Sequence, residues 1–474
     1  MTSASIVSVQ APASERDVRR VVFASLLGAT IEWYDFFLYG VVAGIVFNKL
    51  FFPAGDPVVG TMLAYATFAV GFLARPLGGL IFGHFGDKIG RKSMLVLTLM
   101  IMGVATVLIG LLPTYQQIGI AAPLCLLFLR IMQGIGLGGA VLMAYEYAPK
   151  HKRGFYASIP QIGLAIGLCL ASGLVGLMSK YLSDADFLAW GWRVGFIASF
   201  VLVIIGLYIR LTILETPEFQ KVKAANAEVK IPFVDMIRRY PTNVMLGMGA
   251  RYIDGVFFNI FAVFSIGYMA NIVKVPRTEA LWAVSSAAFV MIFSIPLFGA
   301  LSDRIGRPKT YAIGSFLLAL CAYPGFIAFN TGDVATIYLT LIVTFGIIYA
   351  MCYGPEAALF SDLFDAKVRY TGISFVYQFS GIFASGITPL IATYLFEIGD
   401  KKPWFICAYV VLQRSSAWPA QLPSAAAACR TPETKKAARE GCLSISRLPQ
   451  ITSGRTLPCR QRPSSTYTSR SRDG

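Results

Sequence analysis

The chain has 474 residues, of which 56% are hydrophobic and only 14% charged, and its mean hydropathy is +0.64. Soluble proteins have about 25% charged residues, so this composition excludes an ordinary soluble protein. The net charge is +16, but residues 413–474 hold 11 Lys and Arg against 3 Asp and Glu, which is half of the excess, so the high charge is no argument for nucleic-acid binding.

Apolar stretches of about 20 residues recur along the chain, which is the length that a helix needs to cross a bilayer. A twelfth stretch begins at Pro403 but loses its apolar character after Leu412, and ten residues of helix cover only about 15 Å of a core about 30 Å thick. The other eleven predicted spans are residues 21–46, 61–82, 93–112, 118–145, 155–179, 191–211, 243–271, 280–301, 310–329, 335–360 and 371–396. We therefore predict an all-α polytopic membrane protein with a degraded twelfth helix.

Basic residues in the connecting segments predict the orientation of the chain in the membrane. With a cytoplasmic N-terminus, the inside segments carry 19 Lys and Arg and the outside loops carry 6. The first span is not followed by a small-residue cleavage site, so it is predicted to be retained. The sequence therefore predicts a multi-pass protein whose N-terminus lies in the cytoplasm.

A charged motif occurs twice, at equivalent places in two parts of the chain. Gly83-His-Phe-Gly-Asp-Lys-Ile-Gly-Arg91 follows the second span, and Gly299-Ala-Leu-Ser-Asp-Arg-Ile-Gly-Arg307 follows the eighth. Such a parallel repeat predicts two six-helix halves. The predicted organisation is a cytoplasmic tail (1–20), a first half (21–211), a cytoplasmic linker (212–242), a second half with an incomplete last helix (243–412) and an aberrant, basic, disordered tail (413–474).

The acid and the last Arg of each motif are predicted to close the cytoplasmic side. The acid can accept hydrogen bonds from the N-terminus of a neighbouring helix, and the Arg can pair with a carboxylate across the bundle. The predicted cytoplasmic gate consists of Asp87, Arg91, Asp303 and Arg307. Ordinary positive-inside charge is the alternative, but it does not require the same motif in both halves.

Acidic residues inside the first span are the predicted proton carriers. Glu32, Asp35 and Tyr39 are spaced i, i+3, i+7 and share one helix face, with the two acids about 16 to 21 Å into the span. A carboxylate at that depth costs several kcal/mol unless it is paired, hydrated or protonated. Both histidines, His84 and His151, lie between spans, so a proton carrier has to be a carboxylate. A structural pairing of these acids with a neighbouring Arg is the alternative.

Three arginines within the spans are the predicted cationic counterparts of these acids. Arg75, Arg130 and Arg251 are expected to face one central cavity, where a guanidinium would bind a substrate carboxylate in a bidentate geometry. At least one of the three is expected to be purely structural. Asp254 lies three residues after Arg251 on the same face, so it either neutralises Arg251 or is a second protonatable group.

Uncharged polar side chains in the spans are candidates to complete the cavity, although each fits a hydrogen bond to a neighbouring helix equally well. Glu356 follows Gly354-Pro355, and it fits either a gate beside a helix break or an interfacial position. Tyr377 is a further candidate for the cavity. The predicted substrate-binding set is Arg75, Arg251, Tyr34, Gln161, Asn259, Tyr353 and Gln378.

No motif for a cofactor, a metal or a catalytic nucleophile stands out. The glycine-rich run from Gly134 to Gly139 lies within a span and follows no strand, so it favours close helix packing over a dinucleotide loop. Eight cysteines lack metal-ligand or disulfide spacing, and there is no P-loop. We predict no cofactor, no metal and no enzymatic activity, and we expect the energy to come from an ion gradient.

The paired loop motifs resemble the signature of the major facilitator superfamily. Further segments look like its metabolite:proton symporter branch: Gly28-Ala-Thr-Ile-Glu-Trp-Tyr-Asp-Phe-Phe37, Phe72-Leu-Ala-Arg-Pro-Leu-Gly-Gly79, Arg130-Ile-Met-Gln-Gly134, Glu146-Tyr-Ala-Pro-Lys-His-Lys-Arg-Gly-Phe155 and Glu215-Thr-Pro-Glu-Phe219. The resemblance covers residues 15–412. It implies a bacterial inner-membrane carrier that takes up organic acids or zwitterions, such as shikimate, oxoglutarate, citrate or betaine-like solutes, with protons. It also assigns Arg130 to a motif associated with proton coupling.

Two segments depart from the family pattern. The glycine-rich run of the fourth span passes directly from Gly139 to Ala140, where the family has about four more residues, including an intramembrane Glu. At the other end, Arg414 and two prolines stand where the second half of the twelfth span is expected. The sequence Thr431-Pro432-Glu433 echoes Thr216-Pro217-Glu218 nearly in register with the repeat, which favours a compensated pair of reading-frame shifts.

The combined pattern predicts a proton-coupled symporter for a small organic anion, shikimate-like or dicarboxylate-like, that works by alternating access. Glu32, Asp35, Arg130 and Asp254 are the predicted proton-coupling residues. The predicted partners are the substrate anion, protons and the lipid bilayer, without nucleic acid, and the expected form is a monomer. The alternatives are an antiporter or exporter of the same fold, and a sensor or decayed carrier that does not transport.

Overall fold

A computed structural model describes residues 15–52, 57–89, 91–136, 145, 148–212, 232–364 and 369–421. Within these ranges, the side chains of residues 15–21, 79–80, 83–89, 91–95, 150, 209–212, 232–235, 369–370 and 414–421 are not described. The chain divides into a first unit, Met1–Cys429, that contains all of the described residues, and a second unit, Arg430–Gly474, that lies outside them. The predicted disordered tail therefore falls mostly outside the described residues.

The described residues form helices and no strands, which confirms the predicted all-α class. Three short helices, Tyr115–Ile118, Lys150–Lys152 and Pro232–Arg239, connect the long ones. In chain order the described apolar helices are α1 (Glu15–Val42, continued by Ala43–Phe47 and Asn48–Leu50), α2 (Pro57–Ile89), α3 (Arg91–Leu111), α4 (Ala121–Ile135), α5 (Arg153–Tyr181), α6 (Asp184–Asp186, Phe187–Gly191 and Trp192–Thr212), α7 (Pro241–Phe258, Asn259–Phe264, Ser265–Tyr268 and Met269–Val273), α8 (Arg277–Ile305), α9 (Arg307–Asn330), α10 (Val334–Leu341, Ile342–Ile348 and Tyr349–Ser361), α11 (Arg369–Gly381, Ile382–Gly386 and Thr388–Ile398) and α12 (Trp404–Gln421).

Nine of the described helices are long and apolar enough to cross a membrane. Helices are favoured there because a bilayer core offers no water, so each segment has to satisfy its own backbone N–H and C=O groups. Prolines at positions 76, 160, 296, 324 and 355 lie inside helices. Neighbouring helices make such prolines tolerable in a membrane. We conclude that the chain is a multi-pass membrane protein.

Three described helices have shorter apolar parts: Val96–Leu111 in α3, Ala121–Ile135 in α4 and Trp404–Gln413 in α12. Of the predicted fourth span, 118–145, α4 covers the part up to Ile135 and Tyr145 is again helical, while residues 137–144 lie outside the described residues. Fifteen residues of helix extend only about 22 Å. In α12 the helical backbone continues to Gln421, past the predicted limit at Leu412, although its apolar part ends at Gln413.

Small residues bring the helices into close contact. A Cβ atom at Gly163 would lie 2.8 Å from Cβ of Ala29, so α5 packs with its backbone against α1. A Cβ atom at Gly134 would lie 2.2 Å from the carbonyl oxygen of Gly71, so α4 packs in the same way against α2. Both contacts support helix packing as the role of these glycines.

The sequence repeat is also visible in the backbone. A π-helical turn occupies Ala43–Phe47 in α1, and another occupies Asn259–Phe264 in α7. Their starting positions differ by the same offset that separates Gly83 from Gly299 in the repeated loop motif. Single π turns within α-helices occur often at functional sites. The first six helices and the last six thus share a local deformation as well as a motif.

Candidate functional site

A triad of charged side chains lies between α7 and α10. Arg251 forms an ion pair with Asp254, three residues along α7, and its Nε lies 3.3 Å from Oε1 of Glu356 on α10. Both acids are fully buried and Arg251 is 7% exposed. The structure therefore places Asp254 against Arg251 as a neutralising partner and adds a second acid from outside the predicted site.

Arg75, on α2, is packed between aromatic rings. Its guanidinium carbon lies 4.2 Å from the ring centroid of Phe36 and 4.0 Å from that of Phe72, a cation–π arrangement on two faces. Its Nε and Nη2 are buried and have no hydrogen-bond partner among the described residues. Arg251, Arg130 and Glu32 lie within electrostatic range of it. Two donors of a buried cation are thus available to a ligand.

Arg130, on α4, is enclosed by aromatic rings within the first half. Its guanidinium carbon lies 4.2 Å from the ring centroid of Tyr39 and 4.5 Å from that of Phe36. Nη1 donates to Oε1 of Gln133 at 3.0 Å, and Gln133 Nε2 donates in turn to the hydroxyl of Thr106 on α3 at 2.6 Å. Arg130 therefore reaches α3 through a glutamine and a hydroxyl.

Asp35 faces the interior of the first half. It is fully buried, and the hydroxyls beside it belong to Thr106 on α3 and Ser199 on α6. Those hydroxyls donate to carbonyl groups of their own helices, and neither carboxylate oxygen of Asp35 has a hydrogen-bond partner among the described residues. Thr106 thus lies between Asp35 and the glutamine that binds Arg130.

Glu32 is directed differently from Asp35, although their spacing predicts one face of α1 for both. An offset of three residues turns a side chain by about 60° around a helix axis. Glu32 lies within electrostatic range of Arg75 on α2, whereas Asp35 lies beside α3 and α6. The two acids therefore have different surroundings, and Asp35 is the more deeply enclosed.

The predicted uncharged ligands are mostly engaged with the backbone. The Tyr34 hydroxyl donates to the carbonyl of Gly195 at 2.8 Å, so Tyr34 joins α1 to α6 and does not point at the arginines. Gln161 Nε2 donates to the carbonyl oxygen of Tyr353 at 3.4 Å, which links α5 to α10 across the two halves. Asn259 donates to the carbonyl of Gly255 within α7, and its buried Oδ1 accepts from no residue that the structure describes; Gln378 is half-buried on α11.

The second copy of the charged motif joins the two halves at one end of the bundle, here called the Asp303 end. The Asp303 carboxylate accepts hydrogen bonds from the N–H groups of Gly154 at 2.9 Å and Phe155 at 3.0 Å, in the first turn of α5. An acid at a helix N-terminus is stabilised by the helix dipole. A Cβ atom at Gly154 would lie 2.7 Å from Oδ1 of Asp303, so the contact depends on a glycine.

Arg307 extends this contact. Its Nη2 lies 3.3 Å from Oδ1 of Asp303, and its Nη1 pairs with the Asp362 carboxylate after α10. Asp362 also accepts a hydrogen bond at 2.6 Å from the Tyr145 hydroxyl of the first half. The side chains of Asp87 and Arg91, in the first copy of the motif, lie outside the described residues.

The opposite end of the bundle also carries a contact between the halves. Arg277, at the start of α8, donates from Nε to the Ser179 hydroxyl of α5 at 2.7 Å and from Nη2 to Asp184 at 2.8 Å. Asp184 is 87% exposed in its side chain, so solvent weakens this pair. The halves therefore touch along α5 and α8 at both ends.

Sequence reasoning missed three members of these clusters. The sequence marks Glu356 only by the Gly354-Pro355 step before it, because nothing local shows that it meets Arg251 on another helix. Gln133 follows Arg130 by three residues, so helical spacing was the available signal. Thr106 gives no signal, because a lone hydroxyl in an apolar span usually bonds to its own backbone.

Comparisons with known proteins agree with this architecture. Residues 21–231 match the family model described as Sugar (and other) transporter, and residues 245–412 match that of the Major Facilitator Superfamily. The chain is 42% identical over 388 residues to the inner membrane metabolite transport protein YhjE of Escherichia coli (strain K12), covering 79% of this chain and 87% of that protein. It is 40% identical over 383 residues to the shikimate transporter of the same strain, covering 80% and 87%.

A solved structure supports the fold. The structure of the xylose transporter XylE from E. coli, in a partially occluded inward-open conformation, matches with a TM-score of 0.66 at 18% identity, over 85% of this chain and 98% of that one. At this identity the match concerns the fold alone. The family models and the two E. coli relatives confirm the family that the repeated motif indicated: the chain belongs to the major facilitator superfamily and is a multi-pass membrane transporter of small molecules, not an enzyme.

Proposed function

We propose that the protein is a proton-coupled symporter that carries a small organic monocarboxylate into the cytoplasm across the bacterial inner membrane. The observation that carries this proposal is Arg75, a buried guanidinium between two aromatic rings with two donor nitrogens that no described residue binds. A buried cation with free donors costs free energy that an anionic ligand can recover. A carboxylate binds a guanidinium fork with two parallel hydrogen bonds, which fits this geometry.

A monocarboxylate is favoured over a dicarboxylate because the other two buried arginines are engaged. Arg251 is held by two acids, and Arg130 directs Nη1 to Gln133 and Nη2 to the carbonyl of Phe68. A second substrate carboxylate would have to displace one of these partners. One available guanidinium therefore supports one anionic group on the substrate.

A hydroxylated acid is favoured over a betaine. Quaternary ammonium groups are bound in cages of aromatic rings, and the rings of Phe36, Phe72 and Tyr39 are occupied by the guanidinium groups of Arg75 and Arg130. The free Oδ1 of Asn259 and the amide of Gln378 would bind substrate hydroxyls. The 40% identity to a shikimate transporter supports the same class, since shikimate is a hydroxylated monocarboxylate.

Asp35 is the proposed proton carrier of the first half. An ionised carboxylate here would be unhydrated and would lack a hydrogen-bond donor among the described residues, at a cost of several kcal/mol. Protonation removes that cost. Gln133 and Thr106 connect the surroundings of Asp35 to Arg130, so Arg130 is proposed to influence the protonation of Asp35 through these two residues. Glu32 is proposed to contribute to proton coupling together with Arg75.

The Asp303 end is the proposed cytoplasmic gate. The positive-inside pattern of the loops supports a cytoplasmic location for this end and for the N-terminus. Asp303 and Arg307 would separate from α5 and Asp362 when the cavity opens inward, and Asp87 and Arg91 would do the same at the equivalent place in the other half. Alternating access of this kind, in which the two halves rock about a site near the middle of the membrane, fits a monomer.

The test is proton uptake by the full-length protein in liposomes, recorded as external alkalinisation when shikimate, oxoglutarate, citrate or betaine is added. We expect alkalinisation with shikimate, its loss with an uncoupler, and its loss in Arg75→Gln but not in the exposed control Arg304→Gln. Acidification instead of alkalinisation would indicate an antiporter. Silence from folded protein with all four solutes would favour a non-transporting protein, an alternative that the shortened glycine-rich run before Ala140 makes specific.

A further inference from the structure

The triad in the second half holds more acid than base. One guanidinium, Arg251, faces two carboxylates, Asp254 and Glu356, and all three side chains are at most 8% exposed. Among the described residues the Tyr377 hydroxyl lies beside Glu356 and neither carboxylate has a hydrogen bond of good geometry, so the ion pairs with Arg251 are their main compensation. If both acids were ionised, the triad would carry one uncompensated negative charge in a region of low dielectric constant.

When two carboxylates share one counter-charge, ionising both of them costs additional free energy, and such groups titrate as a pair. We propose that Asp254 and Glu356 share one exchangeable proton over Arg251, and that this proton enters with the substrate anion bound at Arg75. The shared proton depends on the triad alone. Its entry with the substrate depends on the function proposed above.

Among the described residues, the groups around the triad supply one further cation, Arg75, and no further acid. The titratable groups that face it are Tyr311 from α9, Tyr349, Cys352 and Tyr353 from α10, Tyr377 from α11 and Arg75 from α2. Phenols and thiols are neutral near pH 7, so Arg75 is the one cation among these described groups. Glu356 is therefore assigned to a proton-binding site because it is buried, lies near a second acid, Asp254, and shares the counter-charge of Arg251 with it.

Arg75 couples the proton to the substrate. It lies within electrostatic range of Arg251, so its positive charge offsets part of the excess negative charge of the triad. A substrate carboxylate on Arg75 cancels that offset and thereby increases the proton affinity of the triad. By linkage, a protonated triad increases the affinity of Arg75 for the anion to the same extent. Anion affinity should therefore rise as the pH falls, by at most about tenfold per pH unit for one proton.

The proton site can be tested without transport. Infrared difference spectra of the full-length protein in lipid nanodiscs, between acidic and alkaline pH, record the C=O stretch of a protonated carboxyl group. The variants are Glu356→Gln, Asp254→Asn and the matched control Glu397→Gln, which lies on α11 outside the triad. Each triad variant leaves Arg251 with one carboxylate, so both should fold and both should lose the band component of the shared proton, while the control keeps it.

Retention of the full wild-type band in either triad variant overturns the shared proton, and if one variant does not fold, the other gives the answer. The coupling is tested by shikimate binding across pH: wild type should bind more weakly at alkaline pH, and Glu356→Gln should show a smaller pH dependence, because only the proposed proton site at Asp35 remains. Equal pH dependence in both overturns the coupling. Failure of wild type to bind shikimate would contradict the proposed substrate, while the infrared spectra would still decide whether the triad holds a proton.

Discussion

Asp303→Asn is the smallest change that weakens the contact between the halves at the Asp303 end. The carboxylate accepts two backbone hydrogen bonds from the first turn of α5, at 2.9 and 3.0 Å, and lies 3.3 Å from Arg307. An amide of the same size has one acceptor oxygen, and its NH2 group would face the second N–H. The variant therefore loses one charge-assisted hydrogen bond and the attraction between a carboxylate and a helix N-terminus.

The magnitude follows from these two losses. A hydrogen bond to a charged group contributes about 1.5 to 3 kcal/mol, and a carboxylate at a helix N-terminus about 0.3 to 1 kcal/mol. The closed state should thus lose about 2 to 4 kcal/mol, which changes the closed-to-open ratio by about 30-fold to several hundred-fold. If the end is closed about 99% of the time in wild type, it should be open in about a quarter to nine-tenths of the variant molecules.

Double electron–electron resonance measures this population directly. Spin labels at Lys152→Cys and Lys309→Cys, both exposed at the Asp303 end, would measure the distance between the halves once the eight native cysteines are replaced. We expect a second, longer distance to dominate or to gain a large share in Asp303→Asn. An unchanged distance distribution in folded variant protein would refute the idea that this carboxylate holds the halves together.

The chain offers a matched control in Asp333→Asn. Asp333 caps α10 by accepting the N–H of Thr336 at 2.8 Å and its hydroxyl at 2.6 Å, and these hydrogen bonds hold the pKa of Asp333 below its ordinary value. Asp333→Asn is the same substitution as Asp303→Asn, and both carboxylates accept N–H groups at the start of a helix. The Asp333 contact, however, lies within one helix and does not join the halves. Opening of the Asp303 end in this control would show that the effect is not specific to the contact between the halves.

Three further predictions concern single side chains. Arg75→Lys keeps the charge but loses the fork, so the Kd for the substrate should rise by about 10- to 100-fold, measured by calorimetric titration, and an unchanged Kd would exclude bidentate binding. Asp35→Asn should abolish accumulation driven by a proton gradient but keep exchange between labelled and unlabelled substrate; gradient-driven accumulation at the wild-type level would remove Asp35 from coupling. Arg193→Gln should lower the free energy of unfolding by about 1 to 3 kcal/mol, seen in thermal melting, because Arg193 Nη1 donates to the carbonyls of Gly110 at 2.8 Å and Leu112 at 2.6 Å at the end of α3.

Composition and the recurrence of apolar runs were sufficient to predict that this is an all-α membrane protein. A bilayer restricts its spanning segments to a few solutions, so long apolar runs predict helices wherever they occur. The repeated loop motif likewise predicted the family, which the comparisons confirm. The C-terminal limit of the predicted fourth span stays a prediction, because residues 137–144 lie outside the described residues.

The sequence by itself determined the all-α membrane architecture, the two-fold repeat and the set of buried charged residues, because each of these depends on local composition or on spacing along the chain. Only the tertiary structure decided which of those residues meet. Arg251 pairs with Glu356 on a distant helix, and Arg75 has two donors without a partner in the described part of the chain, although the sequence presents both as arginines within apolar spans. Helix rotation and crossing decide such contacts, and these depend on packing between helices that are distant in the chain. Packing likewise decides that Glu32 lies within electrostatic range of Arg75 on α2, while Asp35 lies beside α3 and α6.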